Sequence, residues 1–169
     1  EPITTSANGT PQRLSDVTLN MEIITAEQIE RIGARSIPEI LRFIPGVSVR
    51  QYAFGQTEVA IRGYNQPNSE RILVLLDGRQ VYLDSFGQVI WENIPVVISG
   101  IKQIEVIKGP NTALFGFNAV SGVINIVTKD ARYDNFSQVS TNFSFGSENL
   151  VEGSVAHIAK SNDGKYGLK

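Results

Sequence analysis

Apolar and polar side chains alternate without a break from Gln138 to Phe145, with Val139, Thr141, Phe143 and Phe145 on one face and Gln138, Ser140, Asn142 and Ser144 on the other. A period of two sustained over about ten residues is the pattern of a membrane β-barrel strand, apolar toward lipid and polar toward the lumen. Ser147-Glu148-Asn149 reads as a turn, and Leu150 to Lys160 as a weaker second strand. Ser161-Asn162-Asp163-Gly164 reads as a second turn, leading into a third strand cut off at Lys169. Two strands and a stub cannot close a barrel, and their edges would stay unpaired. The expectation is a fragment of something longer.

Ahead of that segment the grammar is different. Residues 1–16 are rich in Thr, Ser, Asn, Gly and Pro, with Ile3 and Leu14 the only large apolar side chains, too few to offset the entropy of ordering. They read as a flexible arm. A strand is expected at Asn20 to Ile24. Thr25-Ala26-Glu27-Gln28 then has the form of a capping box opening a helix to about Ile32, which Gly33 stops. Ser36-Ile37-Pro38-Glu39 forms a second box, with proline in the first turn where a missing amide costs little. That helix is expected to bury Ile37, Ile40, Leu41 and Ile44 and to end at Pro45-Gly46.

From Val47 the period drops to two. Val47 and Val49 alternate with Ser48 and Arg50, and Val59 and Ile61 with Ala60 and Arg62. Arg71 to Leu76 is almost wholly apolar, as in a strand covered on both faces, and Asp77-Gly78 predicts a two-residue hairpin into Gln80-Val81-Tyr82. Ile101 to Ile107 and Val123 to Val127 predict two more strands, separated by the Gly109 to Gly116 loop. The fold class is therefore α+β: a small mixed sheet with short helices over about residues 18–132, followed from 133 to 169 by the first antiparallel strands of a truncated barrel.

Several functional classes are excluded or weakened by composition. Fifteen Lys and Arg against seventeen Asp and Glu give a net charge of −2, so no global positive field exists to hold nucleic acid. The absence of cysteine removes thiol catalysis and zinc knuckles, and any triad or histidine metal site would have to use His157, the single histidine. The longest apolar run, Ile72 to Leu76, is far shorter than the roughly 18 to 20 residues of a membrane-spanning helix. The N-terminus has no signal-peptide pattern, which a mature chain would have lost in any case. The Gly109 to Gly116 loop has neither the Gly-Lys-Ser or Gly-Lys-Thr ending of a nucleotide loop nor a dinucleotide fingerprint, and reads as a structural turn. Trp91 reads as a core anchor. No enzyme activity and no bound cofactor are expected.

The order of motifs is specific. Ser36-Ile37-Pro38-Glu39-Ile40-Leu41 through Pro45-Gly46-Val47, then Ile61-Arg62-Gly63, then Leu73-Val74-Leu75-Leu76-Asp77-Gly78, then Ile104-Glu105-Val106-Ile107-Lys108-Gly109-Pro110, then Gly122-Val123-Ile124-Asn125-Ile126-Val127-Thr128-Lys129, resembles the plug domain of TonB-dependent outer-membrane receptors over about residues 20–130. The family usually has Arg where this chain has Lys108, Tyr at Phe115 and Gly-Gly at Ser121-Gly122. The lysine keeps the charge but loses the bidentate fork.

The resemblance implies a plug inside the lumen of its own β-barrel, in the cell outer membrane, gating import of a scarce nutrient such as an iron-siderophore or another metal chelate. It further implies a periplasmic arm that pairs with the energy-coupling protein TonB. Ile3, Thr4, Thr5, Ser6 and Ala7 are similar to the family's coupling pentad, the TonB box. Sixteen extended residues reach roughly 55 Å, enough to cross a gap and add as a strand to a partner. Arg62, Glu105 and Lys108 are expected at plug-to-barrel contacts. The loops at Gln51 to Thr57, Tyr64 to Glu70 and Tyr82 to Gln88 offer Tyr52, Phe54, Tyr64, Gln66, Asn68, Tyr82 and Phe86, a mixture of aromatic faces and amides suited to a small ligand. The family turns such loops outward. The alternative reading is a stand-alone periplasmic α+β module that binds a ligand or a protein.

Overall fold

Ile101 to Ile107 and Val123 to Val127 form the centre of the sheet, as their continuous apolar character requires. In the computed structural model the described residues are 3–4, 12–13, 19–53, 55–63, 71–81, 89–116, 118–130, 138–146, 151–160 and 167–168. Their order is β1 (Ile3–Thr4), β2 (Gln12–Arg13), β3 (Met21–Thr25), α1 (Ala26–Ile32), α2 (Ile37–Leu41), β4 (Val47–Ala53), β5 (Gln56–Ile61), β6 (Ile72–Leu76) and β7 (Arg79–Gln80). There follow β8 (Ile101–Lys108), α3 (Thr112–Phe115), β9 (Gly122–Thr128), β10 (Gln138–Phe145), β11 (Val151–Lys160) and β12 (Gly167–Leu168). Short 3-10 turns at Trp91–Asn93 and Ile98–Gly100 lie between β7 and β8.

The main sheet runs β3-β8-β9-β6-β7. Neighbours are antiparallel except β6 and β9, which are parallel and therefore need the long crossover through β7, β8 and α3. One face packs on α1, α2, the β4–β5 hairpin and Trp91 through Ile29, Ile40, Leu41, Ile61, Val74, Ile104 and Ile126. The other buries Met21, Leu73, Leu75, Ile107, Ala119 and Val123. Burial on both faces is why Ile72–Leu76 carries no polar residue; each such side chain contributes about 1.5–3 kcal/mol.

The local signals act much as the sequence predicts. Gln28 Oε1 accepts from the Thr25 N–H at 2.9 Å, and Gly33, at φ 65°, closes α1 in the left-handed region that favours glycine. Ser36 Oγ accepts from the Glu39 N–H at 3.4 Å, whereas the Glu39 carboxylate reaches one residue further back, to the Arg35 N–H at 2.8 Å. α2 stops at Leu41, earlier than the proline suggests, but the turns that follow still bury Ile44. Asp77 and Gly78, at φ 50° and 77°, form the turn, and β7 begins at Arg79, its pairing extended by Val81 N–H to Val74 O at 2.9 Å. Along β5 the alternation fails: Ala60 is buried with Val59 and Ile61, because both sides of that strand end are covered.

β10 and β11 pair antiparallel over eight residues, from Gln138 with Ile158 to Phe145 with Val151, and β12 adds two pairs to β11.

Candidate functional site

Chemistry-bearing side chains gather at three places: the Lys108 end of the main sheet, the tip of the β4–β5 hairpin, and a polar row running across β8 and β9 to the N-terminal segment.

At the Lys108 end lie two of the residues expected at barrel contacts, Lys108 itself and Arg62, which reaches the adjacent Gly109. β5 ends at Ile61, and Arg62 makes one more backbone bond across the hairpin before the chain turns. Arg62 turns at φ 57°, followed by Gly63 at φ 77°, and its N–H donates to Gly46 O at 2.8 Å. A non-glycine residue in this region costs on the order of 1–3 kcal/mol, a strain that marks functional sites more often than packing sites. The Arg62 guanidinium lies over Gly109, where a Cβ would stand 3.5 Å from Arg62 Nη1. The neighbouring Lys108 Nζ lies 2.6 Å from Glu22 Oε1. Among the described residues Arg62 has no carboxylate within ion-pair distance. Glu22 was not among the residues singled out from sequence; its place opposite Val106 in the β3–β8 register, beside Lys108, is visible only once the strands are paired.

Glu105, the third expected barrel contact, is enclosed by the plug's own sheet at 1% exposure. Its Oε1 accepts from Gln103 Nε2 at 2.7 Å and its Oε2 from Asn125 Nδ2 at 3.3 Å. Asn125 Oδ1 in turn accepts from the Gly78 N–H at 3.2 Å. Next to it Asp77 grips the end of β9, accepting from the Thr128 N–H at 2.7 Å and from Thr128 Oγ1 at 2.6 Å. Gln103, Asn125 and Thr128 also escaped the sequence reading. The available signal was two polar residues one step apart on the same face of β8, and a lone asparagine inside an apolar strand.

Of the pentad expected to couple, Ile3 and Thr4 are described: they form β1, paired with Gln12–Arg13, and Gln103 Nε2 donates to Ile3 O at 2.9 Å. Thr5, Ser6 and Ala7 lie outside the described residues. So do Phe54, Tyr64, Gln66, Asn68, Tyr82 and Phe86 among the expected ligand-facing residues. Tyr52 is described and exposed near the hairpin tip, where its hydroxyl donates to Glu58 Oε2. That bond to a carboxylate raises the phenol pKa above its ordinary value of 10.0, with Arg50 opposing. The other Glu58 oxygen is enclosed without a partner among the described residues.

His157 is exposed on β11 opposite Val139, and among the described residues no group of three His, Asp or Glu side chains could hold a metal ion. The apolar face of β10 carries Val139, Phe143 and Phe145 at 63–77% exposure. It looks across a cleft of about 1020 Å³ whose far walls include Ile29, Trp91 and Val97.

Comparison with known proteins gives a consistent picture. The family profile described as TonB-dependent Receptor Plug Domain matches residues 13–123. The vitamin B12 transporter BtuB of Photobacterium profundum is 34% identical over 166 residues, 97% of this chain and 27% of that protein. The chain thus spans about a quarter of the length of such curated relatives. Among solved structures, BauA, the ferric preacinetobactin receptor of Acinetobacter baumannii, superposes with a TM-score of 0.75 at 20% identity, covering 98% of this chain and 24% of that one. Fiu, the ferric-catecholate import receptor of E. coli K12, gives 0.63 at 28% identity, covering 90% and 20%. These relatives are transporters and receptors, not enzymes. With its mixed sheet, its five motifs in order and a family profile covering most of its length, this chain belongs to the plug domains of TonB-dependent receptors.

Proposed function

We propose that the chain is the gate of an outer-membrane transporter that imports a scarce nutrient, a cobalamin or a metal chelate such as an iron-siderophore, and that it is not an enzyme. Residues 1–17 act as the periplasmic arm, 18–132 as the plug and 133–169 as the start of the barrel. The observation that carries this reading is the β10–β11 hairpin: on one face, Val139, Phe143, Phe145, Val151 and Val155 are 63–77% exposed. A stand-alone periplasmic module would leave that face in water, whereas closure of the barrel turns it to lipid.

In the working transporter, ligand meets the outward loops, Tyr52 among them, together with barrel residues. Arg62 and Lys108 dock on acidic side chains of the barrel wall. Ile3 to Ala7 pair with TonB by strand addition, and pulling opens part of the plug while the rest stays folded. The relatives' ligands, vitamin B12 and ferric chelates, favour a chelated metal as cargo.

The test is uptake by the source cell of radiolabelled cobalamin and of ferric chelates, with the full receptor intact or lacking residues 3–7. Uptake of one of these ligands that is lost on deletion, while surface binding persists, supports the reading. Uptake indifferent to the deletion overturns the coupling role.

A further inference from the structure

β1 and β2 share two residue pairs, Ile3 with Arg13 and Thr4 with Gln12. A ribbon so short does not hold itself together in water. Yet Thr4 is 1% exposed, so something beyond β2 seats it. Gln103 Nε2 makes two bonds, to Ile3 O at 2.9 Å and to Glu105 Oε1 at 2.7 Å. Both partners are acceptors, so the nitrogen of the amide, not its oxygen, must face them. The orientation is set one step further back: the Gly78 N–H can only donate, which turns Asn125 Oδ1 toward it and Asn125 Nδ2 toward Glu105 Oε2. Every donor in the row is thereby fixed: Gly78 donates to Asn125, Asn125 and Gln103 both donate to the buried Glu105 carboxylate from opposite sides, and Gln103 also donates to the main chain of the N-terminal segment.

We propose that Gln103 is the positioning residue of the coupling segment, held in its donating orientation by Glu105 and Asn125, and that the Ile3 carbonyl is the acceptor for which Gln103 and an incoming partner strand compete. The name "coupling segment" rests on the function proposed above; the seat itself does not. The Gln103 bond to Ile3 O acts beside the β2 pairing and the burial of Thr4 in seating β1, and a partner strand that brings its own N–H to Ile3 O takes over that one bond. Glu105 thereby has a role inside the plug that needs no barrel contact.

The test uses the full 169-residue chain with Thr4→Cys as its single cysteine, and reads the rate of maleimide labelling under native conditions. Loss of one hydrogen bond predicts a rise of about 2- to 12-fold in Gln103→Leu. Gln103→Glu, which sets an acceptor against two acceptors, rises at least as much, and Gln103→Lys, which restores donors, stays within about 2-fold of the parent. A purely packing role would not separate the glutamate from the lysine. Hydrogen exchange on the same samples should leave β9 as protected as in the parent. Unchanged labelling in Gln103→Leu, or labelling that rises only with a matching loss of protection in β9, overturns the proposal. Uptake by the full receptor is a separate readout: normal uptake in Gln103→Leu with raised labelling upholds the seat and removes the coupling role of the segment.

Discussion

Lys108 Nζ lies 2.6 Å from Glu22 Oε1, and this pair fastens the edge strand β3 to the central strand β8 at the end of the sheet where Arg62 turns out of its own strand. The ammonium has three donors and spends one on Glu22. An arginine there would fix its donors in a plane; the lysine meets Glu22 as a point charge.

The pair should stabilise the plug only modestly, because the Glu22 side chain is 39% exposed and solvent screens it. A Lys108→Met, Glu22→Gln double-mutant cycle in urea is expected to return a coupling of about 0.5–1 kcal/mol, falling with added salt.

Gly122 is set by contact, not by turn geometry. A Cβ there would stand 2.5 Å from Ile107 O and 2.6 Å from Ile61 Cδ1, and the first of these is main chain that cannot move without breaking the β8–β9 ladder. Gly122→Ala is expected to cost about 1–3 kcal/mol or more in chemical denaturation. Gly55→Ala, with open space at its Cβ, should show only the backbone cost of its φ of 74°.

Asp77 combines a φ of 50° with two hydrogen bonds to Thr128. Asp77→Asn tolerates the backbone and keeps an acceptor, so it should lose less stability than Asp77→Ala, for which about 2–4 kcal/mol is expected. Thermal melts of the two variants check the order.

Tyr52 should titrate above its ordinary 10.0 because Glu58 accepts its proton-bearing hydroxyl. The folded value is raised, so the bond's contribution is present below the unfolded pKa and is lost as pH climbs through the folded one. Ultraviolet difference titration of the parent against Tyr52→Phe isolates this phenol from the other four tyrosines, and Glu58→Gln should bring it back down.

How far these features were legible in the sequence depends on whether the signal is local. Thr25, Ser36, Gly33 and the Asp77-Gly78 turn act through neighbours within a few residues, so a linear reading finds them. Ile72 to Leu76 declares its burial by lacking any polar residue. Glu105 was legible as a charge within a strand but not by its partners, since Asn125 and Gln103 reach it only through the β8–β9 register and side-chain geometry. Glu22 escaped for the same reason, its partner being 86 residues away. Arg62 was legible as the end of a strand, its N–H carrying the pairing one bond past Ile61 to the Gly46 carbonyl, but its turn at φ 57° was not.

The claim that this chain is the gated head of an outer-membrane barrel is tested most directly by immunoblotting source-cell fractions with an antibody raised against it, comparing boiled and unheated samples. The account predicts a band well above 18.5 kDa in the outer membrane that migrates faster unheated than boiled, the mark of a folded barrel. A soluble periplasmic band near 18.5 kDa would contradict it.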